Sequence, residues 1–146
     1  EISCSLVGSE MCIRDRKMDY TTVELREIVD LVKQKGLLER TVFISMHLLA
    51  LLRLKDIGIP GSRLQYVYGA VGGNKWTKVS DELIAWLAKN EISLDSRYTL
   101  VSKEDVEKLH KAGLFVNVWT VNKEEEMKRL LDEVGVDMVT TEYYFE

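Results

Sequence analysis

Phe115-Val116-Asn117-Val118-Trp119-Thr120-Val121 is the strongest strand signal in the chain, and the segments on either side of it decide the fold. Ahead of it, Ser102 opens a helix that runs to residue 111, with Glu104 and Asp105 in its first turn and Gly113 just past its end. Behind it, residues 123–133 carry a second helical pattern, ended by Gly135. Val136-Asp137-Met138-Val139-Thr140-Thr141 then reads as the last strand. Strands separated by helices of this length join through right-handed crossovers and pair in parallel.

The alternation continues toward the amino terminus. Thr21 and Thr22 offer capping hydroxyls, Glu24 and Glu27 favour the first turns, and Val23, Ile28, Leu31 and Val32 make an apolar stripe ending at Gly36. A helix over 22–35 follows. Thr41-Val42-Phe43-Ile44-Ser45 is a β-branched run too short for a helix and too apolar for an edge strand, so it predicts a buried strand. Residues 48–57 are helical, Pro60-Gly61 breaks them, and Leu64-Gln65-Tyr66-Val67-Tyr68 is the next strand. Residues 69–77 form a loop, Ser80 caps a helix over 81–90, and Ile92-Ser93-Leu94-Asp95 is a short extended piece. The fold class is α/β.

The 146 residues, 46% hydrophobic and 30% charged, suffice for one globular domain that buries a core without disulfides or structural metal. Twenty-four acidic against twenty basic side chains leave a net charge of −4, so there is no basic excess to meet a phosphate backbone or an anionic membrane. Nucleic acid is not an expected partner. No apolar run approaches the roughly 20 residues that cross a bilayer, which excludes an integral membrane helix and points to a cytoplasmic protein. Cys4 and Cys12 both fall in the opening EISCSLVGSEMCIRDR, and the remainder has none. That opening lacks the basic start and continuous apolar run of a signal peptide. Its apolar residues Ile2, Leu6, Val7, Met11 and Ile13 keep no sustained period, and SEMCIRDR resembles a translated sequencing adapter. Residues 1–16 are therefore expected to be a non-native leader, and 17–146 the domain.

Parallel sheets place chemistry at the carboxyl ends of their strands. Those positions are Ser45 to His47, Tyr68 and Gly69, Asp95, Trp119 to Asn122, and Thr141 with Glu142. They hold no serine elbow, phosphate-loop lysine, or His or Cys pair at metal-ligand spacing, so neither a catalytic nor a metal constellation is assigned. His47 alone lies on this side, where a lone imidazole after a strand is better read as packed or hydrogen-bonded than as a general base. His110 falls in the last turn of a helix and is read as serving the helix dipole. The glycine-rich stretch from Gly69 to Lys75 lacks P-loop spacing and is read as a connector. Trp119 and the pair Tyr143-Tyr144 are candidates for stacking on a ligand, with a core role for Trp119 as the competing reading. Glu124-Glu125-Glu126 reads as a solvated helix start.

Val42-Phe43-Ile44-Ser45, Leu64-Gln65-Tyr66-Val67-Tyr68, His110-Lys111-Ala112-Gly113, Val116-Asn117-Val118-Trp119-Thr120-Val121-Asn122 and Gly135-Val136-Asp137-Met138-Val139-Thr140-Thr141 follow one another in an order that resembles the glycerophosphodiester phosphodiesterases. The resemblance spans about residues 20–144, and its most specific element is V-x-V-W-T-V-N followed by a short helix and G-V-D. It implies a (β/α)8 TIM barrel of roughly 250 residues, of which this chain supplies a part. Ile44, Tyr66, Val118 and Val139 would centre strands five to eight, and 92–95 would be an additional connection rather than a wall strand.

The resemblance implies hydrolysis of a glycerophosphodiester to glycerol 3-phosphate and an alcohol such as choline or ethanolamine. It also implies a divalent cation, Ca or Mg, and two histidines acting as base and acid. The family's His-Arg-Gly, Glu-x-Asp, His-Asp and Glu-x-Lys motifs, carried on the first four strands of its barrel, have no counterpart on the strands of this sequence. What the chain contributes by resemblance is a substrate-binding wall of Trp119, Ser45 and Met46. Met46 stands where the family has an aromatic residue, Glu142 where it has aspartate, and Tyr143 and Tyr144 where it has a proline-bearing turn. A truncated, catalytically silent part of the barrel is expected, self-associating through open sheet edges at 42–45 and 136–141. The alternative is a stand-alone α/β module that binds a small ligand or a partner.

Overall fold

The computed structural model describes the backbone of residues 3–7 and 10–14 and the whole of residues 20–70 and 77–143. In chain order the elements are β1 (Ser3–Val7), β2 (Glu10–Arg14), α1 (Thr22–Gln34), β3 (Thr41–Ser45), α2 (Leu48–Asp56), β4 (Leu64–Tyr68), α3 (Asp81–Asn90), β5 (Ser93–Arg97), α4 (Lys103–Lys111), β6 (Val116–Trp119), α5 (Glu124–Lys128) and β7 (Met138–Val139). The last helix continues as a π-helical stretch, Arg129–Val134.

Helices α1, α3 and α4 begin where a side-chain oxygen takes an orphan backbone N–H. Thr21 accepts from the Glu24 N–H while Glu24 accepts from the Thr21 N–H, a reciprocal capping box, and Ser102 and Asp105 repeat the arrangement at α4. Ser80 caps α3 by accepting from Leu83. The apolar face of α1 is Leu25, Val29 and Val32, not the stripe read through Val23 and Leu31, which are 67% and 57% exposed. Leu25, Val29 and Val32 follow spacings of four and three residues, and contact with α2 buries them.

The strands form a single sheet in sequence order, β1 to β7. All neighbours from β2 onward pair in parallel, and β1 pairs antiparallel with β2. The five parallel strands β3 to β7 curl into a half-barrel, an α/β arrangement matching part of a TIM barrel. Residues 92–95 are not a connection. Ser93–Arg97 is a wall strand set between β4 and β6, with Leu94 opposite Tyr66 on one side and Val116 on the other. Its alternation of Ser93, Asp95 and Arg97 with Leu94 and Ser96 looks like a loop in one dimension. A barrel strand takes such a pattern because its inner face accepts polar groups.

Strand β2 gives a second difference. Residues 11–14 pair with Thr41 to Ile44, so the edge expected to be open at 42–45 is covered by β2. Backbone pairing asks for no hydrophobic period, which is why the residue pattern gave no sign of it.

Parallel partners share a face, so the register sorts the side chains. Phe43, Leu64, Leu94, Val116 and Val118 lie on the face covered by the helices, where they join Leu51, Leu54, Leu87, Val106, Leu109 and Leu130 in one buried core. Gly61 lets the chain enter β4 beside the end of α3, since a Cβ there would collide with the Glu91 carbonyl.

Candidate functional site

The other face of the sheet is the inside of the half-barrel, and its register carries Ile44, Gln65, Val67, Asp95, Arg97, Asn117, Trp119 and Met138. Asp95 is 3% exposed, and its Oδ1 accepts from the Asn117 amide at 2.9 Å. The same amide donates to Thr140 Oγ1 at 3.2 Å, so a buried polar ladder crosses β5 and β6 to the end of β7. The buried polar side chain is thus matched by a hydrogen-bond donor, as buried polar groups are.

At the carboxyl ends the ladder opens onto Arg97 and Trp119, the last residues of β5 and β6, which stand opposite each other in the register. The Arg97 guanidinium carbon lies 5.8 Å from the centre of the Trp119 ring, within cation–π range. Beside them, Asn122 donates to Glu142 Oε2 at 2.8 Å and accepts the Glu142 N–H at 3.1 Å, tying the loop after β6 to the loop after β7. On the helix-facing side of β4, burial and the neighbouring Tyr68 push the Tyr66 hydroxyl above its ordinary range, so it stays a neutral donor.

The three residues expected to form a binding wall occupy different settings. Trp119 sits half-buried on the inner face at the strand ends, against Arg97. Ser45 is buried, falls opposite Tyr66 on the helix-facing side of the register, and accepts the His47 N–H at 3.0 Å. Met46, half-buried, follows directly on β3. His47 occupies the residue before α2 without a side-chain cap to the helix. Glu126 pairs with Arg129, and Glu124 with Lys128, as a solvated helix start does. Tyr143 is 60% exposed. Tyr144 and residues 71–76 of the glycine-rich stretch lie outside the described residues.

His110 is at the far end of the molecule. Its Nε2 is 2.9 Å from Asp137 Oδ2, and the same oxygen accepts the Val116 N–H at 2.7 Å, which places the pair at the amino ends of β6 and β7. The two histidines of the chain therefore stand at opposite ends of the strands.

Two groups escaped sequence reasoning. Arg97 was missed because the strand was ended at Asp95, two residues short. The signal that finds it is the continuing alternation through Ser96 to Arg97. The partnership of Asp95 with Asn117 and Thr140 depends on strand order and has no local signature. Among the described residues no group of three or more His, Cys, Asp or Glu side chains is placed to hold a metal ion.

The family model described as the glycerophosphoryl diester phosphodiesterase family matches residues 9–144. The chain belongs to that family. Solved structures of similar fold include a glycerophosphodiester phosphodiesterase from Parabacteroides distasonis, 24% identical with a TM-score of 0.68, over 89% of this chain and 51% of that one. A putative glycerophosphodiester phosphodiesterase from Galdieria sulphuraria superposes with a TM-score of 0.76 at 21% identity, over 90% of this chain and 53% of that one. A phosphodiesterase from Oleispira antarctica, solved with the product sn-glycerol-3-phosphate, is 19% identical with a TM-score of 0.67, over 84% of this chain and 46% of that one. No curated protein matches the chain. The chain spans about half the length of these structures.

Proposed function

We propose that this chain is the substrate-wall portion of a glycerophosphodiester phosphodiesterase whose complete form hydrolyses a glycerophosphodiester to sn-glycerol 3-phosphate and an alcohol. The observation that carries the reading is the position of Trp119. It belongs to the most family-specific stretch of the sequence, and it stands on the inner face at the carboxyl ends of the strands, the side where barrels of this kind do their chemistry. An indole there offers a flat apolar surface for the carbon backbone of glycerol and, through its N–H, a donor for a hydroxyl.

Phosphodiester hydrolysis by paired acid and base needs two proton-transfer groups at one site. This chain has two histidines, and only His47 is at the carboxyl side, since His110 is bound to Asp137 at the amino ends. By itself the chain is therefore expected to be catalytically silent. A divalent cation, Ca or Mg, would neutralise phosphate charge in the complete enzyme, but the described residues supply no ligand set for it and no step is assigned to it here. The same reading carries a cytoplasmic role in lipid metabolism. Among the described residues no helix is long and apolar enough to cross a membrane.

The test is complementation. Co-expression with the front half of a family barrel, bearing the two catalytic histidines, is expected to restore release of sn-glycerol 3-phosphate. In that complex Trp119→Ala should lower turnover far more than it lowers the unfolding midpoint. A complex whose turnover ignores Trp119→Ala would remove the basis for this reading.

A further inference from the structure

We propose that Arg97 is an anion-binding residue of the site, presenting its guanidinium to a phosphate group whose organic part rests against Trp119. The inference rests on the functional reading above and adds to it the residue that meets the negative charge. Arg97 ends β5, stands opposite Trp119 in the register, and so shares with it the inner face at the carboxyl ends of the strands.

The side chain is held in place from two directions. Its guanidinium lies over the indole, 5.8 Å from the ring centre. Its stem runs close to the end of β4, where Gly69 has a φ of +89° and a Cβ would come within 3.3 Å of the Arg97 Cβ and 2.7 Å of the Leu100 Cδ1. A glycine at that position serves both the backbone conformation and the approach of the two strand ends. An arginine already ordered in this way has less side-chain freedom left to lose when a ligand arrives.

Among the described residues no carboxylate pairs with its charge. Asp95, two residues earlier on the same face, receives the Asn117 amide. The half-buried cation presents a planar fork of N–H donors rather than the point charge of a lysine. The N–H donors lie in the plane of the guanidinium, where they match two phosphate oxygens at once. Chemistry of this kind suits a phosphomonoester or phosphodiester with a short apolar or polyol portion.

The test uses the full chain labelled with nitrogen-15, following the Arg97 Nε–H and Trp119 indole N–H resonances, with Trp76→Phe and Trp86→Phe assigning the indole signal. The probes are inorganic phosphate, sn-glycerol 3-phosphate and glycerol. Phosphate and sn-glycerol 3-phosphate are expected to move the Arg97 resonance saturably, and glycerol is not. Arg97→Gln should weaken both anions by about tenfold or more, and Arg97→Lys should fall between, since it keeps the charge and loses the fork. If Arg97→Gln does not fold, Arg97→Lys carries the comparison. A silent Arg97 signal at tens of millimolar phosphate, or equal affinity in the substituted chain, would overturn the proposal. Should phosphate bind at Arg97 while sn-glycerol 3-phosphate binds no better and leaves the indole unmoved, the anion site stands and the glycerophosphodiester reading fails. Should sn-glycerol 3-phosphate move the indole equally well in Arg97→Gln, the functional reading stands and this inference fails.

Discussion

The imidazole of His110 reaches from the last turn of α4 to the carboxylate of Asp137, with Nε2 2.9 Å from Oδ2, and so closes the amino ends of β6 and β7. Asp137 is the more important of the two, because the same oxygen also takes the Val116 N–H at 2.7 Å, where β6 begins. Asp137→Ala leaves that N–H without its partner and is expected to cost about 1–3 kcal/mol. Asp137→Asn keeps an acceptor and should cost less. His110→Ala removes a half-exposed pair and should cost about 1 kcal/mol or less. Urea denaturation of the three variants checks the order. Equal stability of Asp137→Ala and the parent chain would show that the contact holds nothing.

Gly61→Ala is expected to destabilise the chain by about 1–3 kcal/mol, because the new Cβ meets the Glu91 backbone carbonyl rather than a side chain that can turn away. The same substitution at Gly113, where a Cβ meets open space, isolates the cost of the positive φ from that of the collision. Thermal unfolding of the pair distinguishes them, and a milder effect at Gly61 than at Gly113 would refute the packing argument.

Acidification should loosen the start of α1. The Glu24 carboxyl is held below its ordinary value chiefly by the hydrogen bond from the Thr21 N–H, with the Thr21 hydroxyl adding to it. A lowered folded value means that the contribution is fully present above the unfolded glutamate value and is lost as pH falls through the folded one. The protection of first-turn amides of α1, taken relative to their intrinsic exchange at each pH, is expected to fall over that acidic range. In Glu24→Gln the acid-dependent part should vanish, and a persistent pH response there would place its origin elsewhere.

Deletion of residues 1–16 should uncover the hydrogen-bonding edge of β3, since 11–14 pair with Thr41 to Ile44. The deleted chain is expected to sediment as larger species than the full chain at the same concentration, because open edges recruit strands. Identical sedimentation and unchanged unfolding would show that β2 contributes no cover.

Much of this arrangement is legible in the amino-acid sequence. Asp81–Asn90 begins after Ser80 and carries two acidic residues in its first turn, so capping chemistry alone bounded it. Leu64–Tyr68 stood between a Pro-Gly break and a glycine, and it formed as read. Ser93–Arg97 did not, because a strand with a polar inner face and a single apolar outer residue has no signature until its neighbours are known. The stripe of α1 was displaced to Val23 and Leu31 for a related reason: apolar residues stand on more than one side of the helix, and contact with α2 decides which side is buried. Trp119 was found by its unusual place in an aliphatic strand. Arg97 was lost with the end of β5, and the Asn117 bridge from Asp95 to Thr140 joins residues 22 and 23 positions apart in sequence.

Release of sn-glycerol 3-phosphate from glycerophosphocholine by the chain alone, measured across a series of Ca and Mg concentrations, tests the central claim most directly. With one histidine at the carboxyl ends of the strands and the other bound to Asp137 at the amino ends, the chain is expected to show no turnover above a matched blank at any cation concentration, and to acquire it when a family front half is added. Turnover by the chain alone that is abolished by His47→Ala would contradict the claim, since it would place a complete catalytic apparatus on this half of the barrel.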